Sequence, residues 1–155
     1  MTYEVHLQEV KAQGAASIRG LAAWAELGMF VGGCLKELYV TAGEQGVRFA
    51  GPPYAIYHHA DSTEAEVDVE VGVPVADPIE PAGRVVNTEI AGGLVATTMH
   101  CGPYENVGPA YHALGQWVQE HGHEMAGPPR EIYLTDPMEV SDPGALRTEI
   151  AWPIR

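Results

Sequence analysis

The chain has 155 residues, 46% of them hydrophobic, the size and composition of one ordinary domain with an apolar core. Its formal net charge is -13, from 21 acids against 8 bases with no Lys/Arg block, so the electrostatic footprint of direct nucleic-acid binding is missing and an anionic membrane surface is disfavoured. The start, MTYEVHLQEVKAQG, lacks the basic residues and apolar run of a secretion signal, and no stretch reaches the roughly 18 apolar residues of a membrane span. Cys34 and Cys101 have neither CxxC spacing nor a secretory context, so a soluble cytoplasmic protein with reduced, structural thiols is expected.

In chain order, GAASIRG reads as a strand. The next segment places Leu27, Phe30, Val31, Cys34, Leu35 and Leu38 at the spacing of an amphipathic helix, with Gly43 as its C-cap. AGPPYAIYHHAD, residues 50–61, turns through Gly-Pro-Pro into an extended segment. Val67, Val69, Val71 and Val73 then alternate with Asp68, Glu70 and Gly72, the pattern of a strand with one face on the core. Beyond ADPIEPAGR the same series recurs. LVATTMHCG is a strand, and Val107, Ala110, Tyr111, Leu114 and Val118 form a helical stripe ending at Gly122. AGPPREIYLTDP is extended, and TEIAWPI is a last strand.

This recurrence is a repeat. Ala50-Gly51-Pro52-Pro53 returns as Ala126-Gly127-Pro128-Pro129, and Ile56-Tyr57 as Ile132-Tyr133, at an offset of 126 − 50 = 76. Downstream, EVGVPV ending at Val75 matches EIAWPI ending at Ile154; upstream, Trp24 aligns with Tyr104 and Gly28 with Gly108. The expectation is a single α+β domain, 1–155, of two strand-helix-strand-strand repeats, about 1–75 and 85–155. A pseudo-twofold relates them within one curved antiparallel sheet, with helices on one face and a ligand groove on the other.

The period of two assigns side chains to faces. In EIYL, Ile132 and Leu134 are expected to face the helix, sending Glu131 and Tyr133 into the groove. Their counterparts are Ala55 and Tyr57, so the groove carries two tyrosines but a single acid, Glu131. His59 shares the face of Tyr57, and Trp24 and Tyr104, each opening a helix, project over the groove ends. Tyr111 and Trp117 read as helix packing, and Trp152, aligned with Val73, as core. His58-His59 and His121-Gly122-His123 do not suggest metal: adjacent strand residues point to opposite faces, and no carboxylate or Cys completes a tetrahedral set. No nucleophile elbow, phosphate loop or dinucleotide fingerprint occurs, so no cofactor is implied.

Together GPPYAIYH, VEVGVPV, IAGGLVATTMHCGPY, GPPREIYLTDP and TEIAWPI resemble the GyrI-like small-molecule-binding domain, also found as the effector-binding half of AraC- and MerR-type regulators. The resemblance covers nearly the whole chain. It implies paired strand-helix-strand-strand (SHS2-like) modules and a groove for bulky, often cationic aromatic compounds, with an acid at Glu131 and aromatics around it. This sequence has no helix-turn-helix segment like the regulators'. The family's stand-alone members include hydrolases of cyclopropane-bearing alkylating natural products and gyrase-binding inhibitors.

A carboxylate in an aromatic-lined groove loses hydration and needs a ligand cation, a hydrogen-bond donor or a water it activates. Three functions follow. The first is binding of hydrophobic, cationic small molecules by Glu131 with Tyr57, Tyr133, Trp24 or Tyr104, for multidrug sensing or sequestration. The second is hydrolysis, with Glu131 and Tyr133 as catalytic candidates. The third is docking on a protein partner.

Overall fold

The computed structural model describes residues 3–58, 66–135 and 141–155; His59 lies outside the described residues. The fold is α+β, and among the described residues the strand pairs within each unit are antiparallel. The elements run β1 (His6–Val10), β2 (Gln13–Ala23), α1 (Leu27–Glu44), β3 (Tyr54–His58), β4 (Glu66–Pro74), β5 (Val86–Ile90), β6 (Gly93–Cys101), α2 (Gly108–Glu120), β7 (Arg130–Tyr133) and β8 (Arg147–Pro153). A short 3-10 turn precedes each helix, at Trp24–Glu26 and Tyr104–Asn106.

The chain forms two compact units. The unit spanning Lys11–Gly92 has strand order β3-β4-β2-β5, with α1 on β2 and β4. The unit made of the N-terminal strand and Gly93–Arg155 has order β1-β6-β8-β7, with α2 packed against β6. Each therefore holds the expected strand-helix-strand-strand series, β2-α1-β3-β4 in one and β6-α2-β7-β8 in the other. Each also has a fourth, edge strand that the repeat did not reveal. β5 pairs with β2 through Gln13↔Ile90, and β1 pairs with β6 through Val10↔Gly93.

The repeat's offset changes across the helices, from 80 at the 3-10 turns (104 − 24) to 76 at the Gly-Pro-Pro turns (126 − 50). Four residues are about one helical turn. The extra turn lies in α1, which has 18 residues against 13 in α2. α1 continues through Gly43 to Glu44, so the helix stop expected at Gly43 falls instead at Gly46, whose φ of 67° is left-handed. Gly122, with φ 75°, ends α2 as expected. Beyond each helix one backbone bond closes the terminus, Val47 N to Ala42 O and His123 N to Val118 O, both 3.0 Å.

In the first unit the core lies between α1 and the Val67, Val69, Val71, Val73 face of β4, joined by Ala16, Ile18, Cys34 and Leu38, all buried. Each such valine contributes about 1.5–3 kcal/mol of transfer free energy. In the second unit Ala110, Leu114 and Val118 of α2 pack on Ala96, Ile150 and Ile154. The connection ahead of β5 is fastened by Asn87, whose side-chain amide donates to Ile79 O (2.8 Å) and accepts from Ile79 N (2.9 Å). No helix among the described residues is long and apolar enough to cross a membrane.

On the reverse face of the first unit, Tyr54 is buried directly across from Gly72. Its ring fills the space a side chain would need, since a Cβ at Gly72 would lie 2.5 Å from Tyr54 Cζ. Gly72→Ala should cost about 1–3 kcal/mol through overpacking. That loss should largely disappear in a Tyr54→Leu background; equal losses in both backgrounds, measured by urea unfolding, would contradict the contact.

Candidate functional site

Strand register fixes which way β7 faces. Glu131 stands opposite Ile150 and Tyr133 opposite Thr148, so all four share one face of the sheet. Ile150 belongs to the core under α2, and Glu131 and Tyr133 therefore point to the helix-bearing side. Ile132 stands opposite Glu149 on the reverse side, and Leu134 is 43% exposed. The expectation that Ile132 and Leu134 face the helix is thus corrected. Apolar character misassigned the face because β7 lies beside the Ala110-Leu114-Val118 stripe, where the helix presents Tyr111.

Glu131 is only 9% exposed. The Tyr111 hydroxyl donates to its Oε2 at 2.6 Å, and the Tyr133 hydroxyl to its Oε1 at 3.4 Å, so each carboxylate oxygen receives one phenol. Tyr111 meets Trp152 edge to face, with centroids 5.8 Å apart at 81°. The indole is itself anchored, its Nε1 donating to Gly127 O at 3.0 Å in the Gly-Pro-Pro turn. Tyr104 meets Tyr133 the same way, 5.6 Å apart at 76°. The acid is thus associated with Tyr104, Tyr111, Tyr133 and Trp152, of which the sequence pattern had assigned Tyr111 and Trp152 to packing.

His100 positions the turn that carries Tyr104. It is buried, with Nε2 3.0 Å from Pro103 O and Nδ1 3.3 Å from the Tyr3 hydroxyl. A proton on Nε2 satisfies both contacts, the carbonyl accepting and the phenol donating.

The other expected site residues lie in the first unit. Ala55 is fully buried opposite Val71, and Tyr57 stands opposite Val69. Both share the α1 side, because Gly20, also across from Val69, lies beneath the Phe30 ring. Trp24 sits in the 3-10 turn, 48% exposed. The repeat pairs Val31 with Tyr111 and Ala55 with Glu131. Both partners of the hydrogen-bonded pair thus replace apolar residues of the other copy, and this coincidence was the available sequence signal for Tyr111.

Arg130 and Glu149 occupy the reverse face. Burial holds the Glu149 carboxyl above the usual carboxylate range, and the Arg130 charge partly opposes this. A carboxyl raised in the folded state supports folding fully below its unfolded value, about 4.3, and loses that support as pH rises through the folded value. The Glu149 carboxyl carbon should therefore titrate by NMR with a midpoint above about 4.3. Arg130→Gln should raise the midpoint further; a fall would contradict the assigned cause. Elsewhere, His58 Nε2 lies 3.1 Å from Glu70 Oε1, and burial raises the Cys34 thiol against the opposing Arg84 charge.

The Tyr111–Glu131 bond predicts energetic coupling. Removing the donor of a buried hydrogen bond costs about 1–3 kcal/mol, so Tyr111→Phe should destabilise by that order. In a Glu131→Ala background the same change should cost far less, because the acceptor is gone. Additive losses in the double-mutant cycle would show that the two side chains act independently.

A sequence profile described as the GyrI-like small molecule binding domain matches residues 3–155. No functionally curated protein matches the chain. Among solved structures, the EcmrR C-terminal domain is 25% identical with a TM-score of 0.90, covering 100% of this chain and 99% of that one. The EcmrR chain in a cryo-EM complex with DNA is also 25% identical, with a TM-score of 0.89; the match covers 99% of this chain but 57% of that one, little more than half its length. SAV2435 bound to tetraphenylphosphonium, 14% identical with a TM-score of 0.67 and coverages of 98% and 94%, shares the fold.

Proposed function

The chain belongs to the GyrI-like small-molecule-binding domain family, and from that premise we propose that it binds hydrophobic aromatic cations, with the Glu131 carboxylate as the counter-charge. The observation that carries this reading is the buried acid held by the Tyr111 and Tyr133 hydroxyls amid aromatic rings. The two phenol hydrogen bonds fix the position of the carboxyl group among the rings, so that its charge is presented to a ligand in one place. At 4 Å and an effective dielectric near 20, a cation would gain about 4 kcal/mol from that charge before desolvation. Faces of Tyr104 and Tyr133 would add roughly 0.5–2 kcal/mol each as cation–π contacts. The tetraphenylphosphonium bound by SAV2435 is a ligand of this chemical class.

Because each carboxylate oxygen already accepts a phenol hydrogen bond, the geometry supports recognition of charge over activation of water. The role we assign is sensing or sequestration of xenobiotic cations in the cytoplasm, where the free thiols Cys34 and Cys101 would remain reduced. With a net charge of -13, we assign no nucleic-acid contact to this chain.

Calorimetric titration should detect tetraphenylphosphonium binding that weakens at least tenfold in Glu131→Gln. A neutral triarylphosphine oxide should bind much more weakly than the cation. Equal affinity for the two compounds, or an unchanged constant in Glu131→Gln, would remove Glu131 from recognition.

A further inference from the structure

Thr148 is fully buried, and among the described residues its Oγ1 has no hydrogen-bond partner. Such an orphaned hydroxyl is destabilising, a cost that a valine of the same shape would avoid. The register puts Thr148 directly between Tyr133 of β7 and His100 of β6, on the face that carries Glu131. Other polar groups on this face are accounted for: Thr98 Oγ1 donates to Glu4 O at 2.7 Å, and His100 is held by Tyr3 and Pro103. The final strands of the two copies align at an offset of 154 − 75 = 79, which pairs Thr148 with Val69. Tyr111 for Val31, Glu131 for Ala55 and Thr148 for Val69 are thus three polar-for-apolar replacements on one face of one unit.

We propose that the Thr148 hydroxyl is a specificity-determining ligand contact, accepting a hydrogen bond from an amino group on the aromatic cation that Glu131 neutralises. This rests on the charge-recognition reading above and narrows it to amino-substituted aromatic cations, whose charge suits Glu131 and whose N–H donors suit the orphaned Thr148 hydroxyl. The proposal requires Tyr133, which stands directly across from Thr148, to shift, and we place that movement at its edge contact with Tyr104. That contact is the one to open, because Tyr104 is carried by a 3-10 turn whereas Tyr111 and Trp152 are held by a helix and a strand.

Two probes separate charge from hydrogen bonding: ethidium, a planar cation with two aromatic amines, and tetraphenylphosphonium, which has no hydrogen-bonding group. Affinities are measured for the wild-type chain, Thr148→Val, Thr148→Ser and Glu131→Gln, with melting temperatures for all four. Thr148→Val should weaken ethidium about three- to tenfold, the equivalent of one net hydrogen bond, and leave tetraphenylphosphonium within about twofold. Its melting temperature should hold or rise, and Thr148→Ser should keep ethidium affinity near the wild-type value. Equal effects on both cations, no effect on either, or a lower melting temperature with ethidium binding intact would overturn the inference. If Glu131→Gln weakens both cations while Thr148→Val changes neither, only this inference falls. If the wild-type chain binds neither cation, or Glu131→Gln changes neither, the charge-recognition reading falls and takes this inference with it.

Discussion

The Tyr111–Glu131 hydrogen bond is the contact on which the second unit's site depends. A carboxyl group withdrawn from water is tolerated where hydrogen-bond partners replace its hydration, and here the donor comes from a helix while the acceptor comes from a strand. Bringing the two together needs α2 seated on β6 and β8 by Ala110, Leu114 and Val118, so that Tyr111, beside that apolar stripe, reaches β7. It also needs the register that sets Glu131 opposite Ile150 rather than one residue along, since a one-residue slip would send the acid to the other face. Trp152, tied to Gly127, then backs Tyr111, and Tyr104 backs Tyr133. Packing, register and turn geometry all converge on one buried carboxyl group.

The repeat separates what the scaffold requires from what the site adds. Both units keep the β-α-β-β series, the Gly-Pro-Pro turn and a left-handed glycine after the helix, at Gly46 and Gly122. The Tyr57 and Tyr133 positions are also shared. The first unit has Val31 on α1 and the buried Ala55 and Val69 on its strands, all apolar, whereas the second has Tyr111, Glu131 and Thr148 at those positions. The first copy shows that apolar residues suffice for the fold. Nothing in the β-α-β-β series itself therefore requires the polar set of the second.

Much of this was legible in the sequence. β2, β4, β6 and β8 each bury at least one face, so their residues must alternate or run apolar, and the pattern betrays them. β1 and β5 are largely exposed edge strands, and with neither face committed to a core their sequences carry no periodic constraint. Glu131, Tyr133 and Tyr104 stand out in the sequence because an acid in a strand and its aligned aromatics break the pattern. Tyr111 was missed because its spacing from Val107, Leu114 and Val118 is that of a core stripe, and helical period alone cannot separate a phenol that packs from one that also donates. The face of β7 was misread because hydrophobicity was weighed within four residues, whereas orientation is set by pairing with Ile150 on a strand some twenty residues away.

The most direct test of the central claim, that Glu131 is the counter-charge of a bound aromatic cation, is a crystal structure with tetraphenylarsonium, whose arsenic marks its own position by anomalous scattering. The account predicts one strong peak within about 6 Å of the Glu131 carboxylate, with phenyl groups against Tyr104, Tyr133 or Trp152. A fully occupied peak remote from Glu131, beside Glu149 or Ala55 for example, would contradict it.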